Sequence, residues 1–337
     1  MSDDIAQRHV RATHIRRFEP SLHLAALADL VESSFAEDLA RTRNPITAEM
    51  REMATWGPLL RLPGVMGRQR HGLVWVEQDT LLGNVSITHE GGGVWSLSNI
   101  AVVPEARGRG IASALVDETI ARLRHRGARY VVLQVRPDNA IARGLYQRRG
   151  FILADRVHEL VLTRQRWPLT VAVRSTPMNV RAATRRDRPG ITQLVEMARP
   201  PLWQRVQRYS QRRRWALWSG SLWRALSTGI DWADRCGCVA EGMGQLVGAA
   251  WMTVRPWSPV YELGLALSRQ ATAALALRMA EWLFGEMDHL VRKDVHATVS
   301  TQQTEALEAL RSFGFETMRV LDRMVLSLGD AEVGLPG

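Results

Sequence analysis

The chain has 337 residues, 46% hydrophobic and 23% charged, enough for packed cores in two domains of about 150 residues each. Its formal charge of +10 comes from 44 Lys+Arg against 34 Asp+Glu, and Lys293 is the only lysine. The arginine bias runs along the whole chain with no dense basic block interleaved with aromatics, so nucleic-acid binding is not expected. No basic and apolar leader opens the chain, no apolar run is long enough to span a bilayer, and Cys236 and Cys238 are too few for a disulfide framework or a metal site. A reduced, cytoplasmic, metal-free protein is expected, with its oligomeric state open.

His14 to Glu19 alternates as a first strand. Ser21 to Ala36 carries Leu24, Leu27, Val31 and Phe35 at helical steps, and Thr47 to Trp56 reads as a second helix with Thr47 as its cap. Gly64, Gly67 and Gly72 mark a loop. Strands follow at Leu73–Glu77 and Leu81–Thr88, joined by a turn at Gln78-Asp79, and a longer one at Val94–Val103. A helix from Ile111 to Arg126 stops at Gly127. Tyr130–Val135 is a continuous apolar strand, Asp138-Asn139 opens a short helix that Gly150 ends, and Phe151–Thr163 is a last strand.

The most informative stretch is Ile100 to Gly110, I-A-V-V-P-E-A-R-G-R-G, which runs from a strand through a glycine loop into a helix. The first amides of a helix have no partner inside it and carry partial positive charge, so this layout suits an anion. Gly108 and Gly110 allow a tight turn, and Arg107 and Arg109 add charge. No Lys-Ser/Thr follows, and the G-x-G-x-x-G spacing is missing, which excludes a Walker loop and a dinucleotide fingerprint. By itself a glycine pair is better read as an ordinary strand-to-helix turn with solvated arginines.

The first half, from about His14 to Thr163, resembles the GNAT superfamily of acetyl-CoA-dependent N-acetyltransferases. The family's phosphate loop, Arg/Gln-x-x-Gly-x-Gly/Ala, is matched by Arg107, Gly110 and Ala112. Its later motif is matched by Asn139, Ala142, Leu145, Tyr146, Gly150 and Phe151. The resemblance implies an α/β fold with a mixed, mostly antiparallel, splayed sheet flanked by helices. It implies that the backbone of Ile100, Ala101 and Val102 pairs with the pantetheine arm of coenzyme A. The amides of Gly108, Arg109, Gly110, Ile111, Ala112 and Ser113 would cradle the pyrophosphate, with Arg107 beside them, and Asn139 would contact the arm near its thiol.

The implied reaction is attack of a neutral amine, on a small molecule or a peptide, on the thioester. Tyr146 would protonate the departing sulfur as general acid. The base stays open. The resemblance is nearest to the branch that acetylates protein N-termini, where a glutamate often precedes the Asn motif, and here that position is Gln134. Glu90, Glu37 or ordered water are alternatives, and Ser98, Asn99 and His89 are candidate cleft residues. A noncatalytic acyl-CoA-binding or interaction protein is the competing reading.

The expected division is a catalytic domain at 1–165, a linker at 166–179 and a degenerate GNAT-like domain at 180–337. Gly314-Phe315 repeats Gly150-Phe151 after 164 residues. The same ungapped shift puts Arg107 on Ala271, Gly108 on Thr272, Gly110 on Ala274, Asn139 on Gln303 and Tyr146 on Leu310, so the functional positions are lost. Trp203, Trp215, Trp218, Trp223 and Trp232 lie among arginines. They fit core tryptophans with solvated arginines, a membrane-surface helix, or the wall of a substrate pocket.

Overall fold

A computed structural model describes residues 14–42, 46–55, 71–168, 179–209, 234–242, 244–254 and 258–329. The first half runs β1 (Ile15–Arg17), α1 (Pro20–Thr42), α2 (Ile46–Ala54), β2 (His71–Glu77), β3 (Thr80–Gly91), β4 (Val94–Val102), α3 (Ile111–His125), β5 (Tyr130–Val135), α4 (Ala140–Gln147) and β6 (Ile152–Leu162). This is the expected order. Two details differ: Gly72 lies inside β2, and Thr47 sits buried in the first turn of α2 rather than capping it. Gly64 and Gly67 lie outside the described residues. The β2–β3 turn uses positive φ at both Gln78 and Asp79, the geometry whose twist matches a two-residue hairpin.

The second half repeats the pattern with β7 (Asn179–Ala182), α5 (Arg188–Met197), α6 (Pro201–Tyr209), β8 (Asp234–Gly242), β9 (Gln245–Val254), β10 (Val260–Leu267), α7 (Ala273–Glu286), β11 (Asp294–Ser300), α8 (Thr304–Ser312) and β12 (Glu316–Ser327). Within the expected linker, Trp167 is buried and donates from Nε1 to the carbonyl of Lys293, while residues 169–178 lie outside the described residues.

All twelve described strands form one sheet in the order β1-β2-β3-β4-β5-β12-β6-β11-β10-β9-β8-β7. Only β4–β5 and β10–β11 are parallel. The centre is an exchange. The last strand of the second half, β12, lies between β5 and β6, with Arg323 opposite Gln134 and Val325 opposite Val132. Reciprocally, β6 of the first half pairs with β11, Leu160 facing Ala297. Each half lacks the strand that would complete its own sheet and receives it from the other. This joins into one sheet what the repeat suggested as two.

The cores follow the same logic. Leu73, Val85, Leu115, Leu123, Val131 and Phe151 pack α3 against the first half of the sheet, and Met324 and Leu326 of β12 belong to that cluster. A second large core gathers around Met252, Met279, Leu283 and Phe315, and Leu160 and Leu162 of β6 belong to it. Helix α6 crosses the other way: its Trp203 and Val206 pack on Val94, Tyr130, Val132 and Ala154 of the first half.

Candidate active site

The sheet opens because β4 is bulged. Asn84 stands opposite Ala101 and Ser86 opposite Ser98, so Asn99 and Ile100 share one partner position, and Asn99 takes a φ of 49°. The bulge is clamped from β3: fully buried Asn84 donates from Nδ2 to the carbonyl of Asn99 at 2.9 Å and to Ser86 Oγ at 3.1 Å. β4 pairs with β5 only from Val94 to Leu97, against Tyr130 to Leu133. Beyond that point its β5-facing edge, residues 98–102, has no strand beside it among the described residues. Such an edge can take up an extended chain.

The splayed strand leads through Pro104–Ala106 into the glycine loop. Gly108 and Gly110 have φ values of 80° and 78°, while a Cβ at either would meet nothing within 4 Å. Glycine is needed here for backbone conformation, not for space. Gly110 is the N-cap of α3 and supplies no side chain, and no acid lies in the first turn. The leading amides are therefore uncapped, a setting in which a negative charge gains about 0.3–1 kcal/mol or more. Of the two loop arginines, Arg107 donates from Nε to the carbonyl of Val102, and Arg109 is held in a forked pair with Glu77 at 2.7 and 2.9 Å. Ile111 turns its side chain into the core, leaving only its amide for a ligand.

Next to the splay is a cavity of about 860 Å3. Ile100, Asn139 and Tyr146 line it, as do Ser98, Asn99 and Gln134. Ala101 is buried against α1 instead. Asn139 caps α4, its Oδ1 accepting from the amide of Ala142 at 3.0 Å. Tyr146 is 6% exposed with its ring tilted against Phe151, and burial pushes its phenol up to about 12. It therefore stays protonated throughout the physiological range, as a proton donor must.

Two carboxylates line the cavity. Asp138 is tied to Arg136 at 2.6 and 3.0 Å, and Glu90 accepts from Ser96 Oγ at 2.8 Å. Glu37 lies outside the wall, 63% exposed beside Arg136, and His89 packs outside it against Trp95. Val31, Ser34, Phe35 and Leu39 of α1 add to the wall, and the second half contributes Trp203, Val206 and Gln207 of α6 with Arg319, Leu321 and Arg323 of β12. Of the tryptophan stretch, Trp203 is buried in a core cluster and reaches the cavity wall, while Trp215, Trp218, Trp223 and Trp232 lie outside the described residues. The β12 residues were not anticipated, since nothing in their own segment signals that the strand crosses over.

The corresponding place in the second half is built differently. The 164-residue shift holds from β5/β11 through α4/α8 to β6/β12, but not in the loop. Residues 103–110 join β4 to α3, whereas only 268–272 join β10 to α7. The cradle is thus shortened rather than substituted position by position, which corrects the ungapped equivalences for Arg107, Gly108 and Gly110. Helix α7 is capped by Thr272, whose side chain accepts from the amide of Leu275. β10 has no bulge, and Gln303, at the position of Asn139, uses its carboxamide to bond both the N–H and the carbonyl of Leu267. A side chain closes the edge that stays open in the first half.

Comparison with known proteins agrees with this geometry. Residues 34–151 match the model of the Acetyltransferase (GNAT) family. A 66-residue segment is 35% identical to N-alpha-acetyltransferase 30 of Schizosaccharomyces pombe, covering 20% of this chain and 44% of that one. A 52-residue segment is 44% identical to mycothiol acetyltransferase of Geodermatophilus obscurus, covering 15% of this chain and 17% of that protein. The chain thus spans less than half the length of these curated relatives. The crystal structure of a GCN5-related N-acetyltransferase from Sphaerobacter thermophilus superposes with a TM-score of 0.59 at 16% identity, over 93% of this chain and 95% of that one, which shows a shared fold. No described helix is long and apolar enough to cross a membrane. Residues 34–151 are thus similar to the GNAT acetyltransferase family, within a chain whose fold is similar over nearly its whole length to that of the Sphaerobacter thermophilus protein.

Proposed function

We propose that the protein transfers an acetyl group from acetyl-CoA to a primary amine, and that the first half is the catalytic one. The carrying observation is that an open strand edge at residues 98–102 and the protonated, buried Tyr146 meet at one cavity, with an uncapped helix start at the end of the same strand.

In this reading the pantetheine arm lies along the open edge of Ile100, Ala101 and Val102. The carbonyl of Val102 exchanges its bond from Arg107 for one from the arm. The pyrophosphate sits on the amides of Gly108 to Ser113, and Arg109 positions the loop through Glu77. Asn139 keeps its Oδ1 on the helix cap and offers Nδ2 to the cofactor. Glu90, directly or through water on Ser96, takes the proton from the incoming ammonium, which leaves a neutral amine to attack. Gln134 cannot serve there, because an amide accepts no proton at these pH values. An amide at the open edge steadies the oxyanion. As the tetrahedral intermediate collapses, the C–S bond breaks and Tyr146 protonates the sulfur.

The test is release of coenzyme A thiol from acetyl-CoA across a panel of amines. Amine-dependent release that drops sharply in Tyr146→Phe, with acetyl-CoA still bound, supports the reading. Tight cofactor binding with no release to any amine would point to an acyl-CoA-binding protein instead.

A further inference from the structure

The exchanged strand brings arginines to the wall of the cavity. Arg323 stands opposite Gln134 in the β5–β12 pairing, and its guanidinium lies 5.1 Å from the centre of the Trp203 ring. Arg319, two alternate positions back on the same face, donates to Glu159 from Nε alone, leaving its terminal nitrogens without a bond among the described residues. On the cavity face Arg319 pairs with Glu159 and Arg323 with Asp155, while Arg143 and Arg156 meet Asp322 on the other face of β12. Burial disfavours the charged form of Asp155, whose carboxyl is pushed upward, so Arg323 is the less fully compensated of the two cavity arginines.

On α6, Trp203 Nε1 and Gln207 Oε1 are buried with no partner among the described residues, although both residues line the cavity. A donor and an acceptor left without partners there call for a polar ligand. Glu90 lies in the same wall with the opposite charge. An acceptor that fits must bring a cation to the carboxylate and an anion to the arginines.

Building on the acetyltransferase reading, we propose that the acceptor is an amino-carboxylate, an amine that carries its own carboxylate, with the β12 arginines of the second half recognising that carboxylate. The ammonium is drawn to Glu90 and deprotonated there. The carboxylate is drawn to Arg323 and Arg319, with Trp203 Nε1 as a further donor. A glutamate at position 134 would pair with Arg323 across the strands and repel the substrate's carboxylate, whereas glutamine there does neither. The second half then sets specificity without binding cofactor. A peptide N-terminus, whose amine neighbours an amide, lacks the recognised group.

The experiment compares free amino acids with their own carboxamides, in matched pairs, in the thiol-release assay with the full chain. The wild type is expected to favour the acid by about tenfold or more in kcat/KM, a size typical of a site built around a charged partner. Arg323→Gln should bring the two to within about threefold, the loss falling on KM for the acid, and Arg323→Lys should keep part of the preference. Because Arg323 also pairs with Asp155, Arg319→Gln serves as a second variant, and acetyl-CoA affinity confirms that each variant is folded. Equal or better turnover of the carboxamides or of peptide N-termini would overturn the carboxylate proposal and leave the acetyltransferase reading standing. If cofactor binds and no amine of either kind reacts, that reading falls and this one with it.

Discussion

Arg156 Nε donates to Asp322 Oδ1 at 2.6 Å, joining β6 of the first half to β12 of the second. Asp322 is 1% exposed and also faces Arg143 of α4 at 3.4 Å, on the helix that carries Tyr146. Arg323 and Asp155 make the reciprocal pair one position away, with Ser300 Oγ donating to Asp155 at 2.7 Å. The two halves are thus bonded through each other's closing strands. They should unfold as one unit.

Removing the shared carboxylate tests that coupling. Asp322→Asn leaves Arg143 and Arg156 without their anion, and taking one partner from a buried pair costs about 3–5 kcal/mol. Half-exposed Arg156 recovers some hydration, so the lower end is expected. Denaturant unfolding followed by probes in each half should show one common transition, shifted down together. Two separate transitions would contradict the exchange.

The cofactor stoichiometry follows from the two unlike loops. Calorimetric titration should give one acetyl-CoA site per chain, because Thr272 caps α7 and Gln303 closes the β10 edge. Gly110→Ala should weaken binding roughly tenfold, since a Cβ at a left-handed residue costs about 1–2 kcal/mol. Unchanged affinity in that variant would remove the loop from the binding site.

Much of this site was legible in the sequence. The β4–loop–α3 unit shows itself because glycines at positive φ and helical periodicity are local signals, and Asn139 to Phe151 sits on one short helix and the start of a strand. The exchange was not legible, because the pairs that fix it, Arg156 with Asp322 and Arg323 with Asp155, lie more than 160 residues apart and look like ordinary surface charges in the sequence. The missing cradle of the second half was misplaced for a related reason. A three-residue shortening before α7 is offset by a longer connection after it, and an ungapped shift cannot see two compensating changes.

Tyr146 sets the expected pH behaviour. Its phenol is raised to about 12, so the protonated form persists well above the ordinary tyrosine range. The proposed acid should therefore impose no alkaline fall in kcat up to about pH 10. The same shift means that the folded chain holds this proton while the unfolded chain releases it near 10. Stability is then lost as pH rises from there toward 12. Tyr146→Phe should lower kcat by roughly 10²–10⁴-fold with little change in cofactor affinity.

The carboxylates separate cleanly. Glu90 lines the cavity and Glu37 does not. Glu90→Gln should reduce kcat/KM by roughly 10²-fold or more, and Glu37→Gln by little. Comparable losses in both would move the proton path away from Glu90.

The central claim is transfer of acetyl from the thioester to an amine. The most direct measurement is product analysis after incubating the full chain with acetyl-labelled acetyl-CoA and a mixture of free amino acids and simple amines. The account predicts label in an amide on the amine nitrogen, matched mole for mole by free coenzyme A and formed at least about a hundredfold more slowly in Tyr146→Phe. Cofactor bound with its label still on sulfur, or label recovered only as acetate, would contradict it.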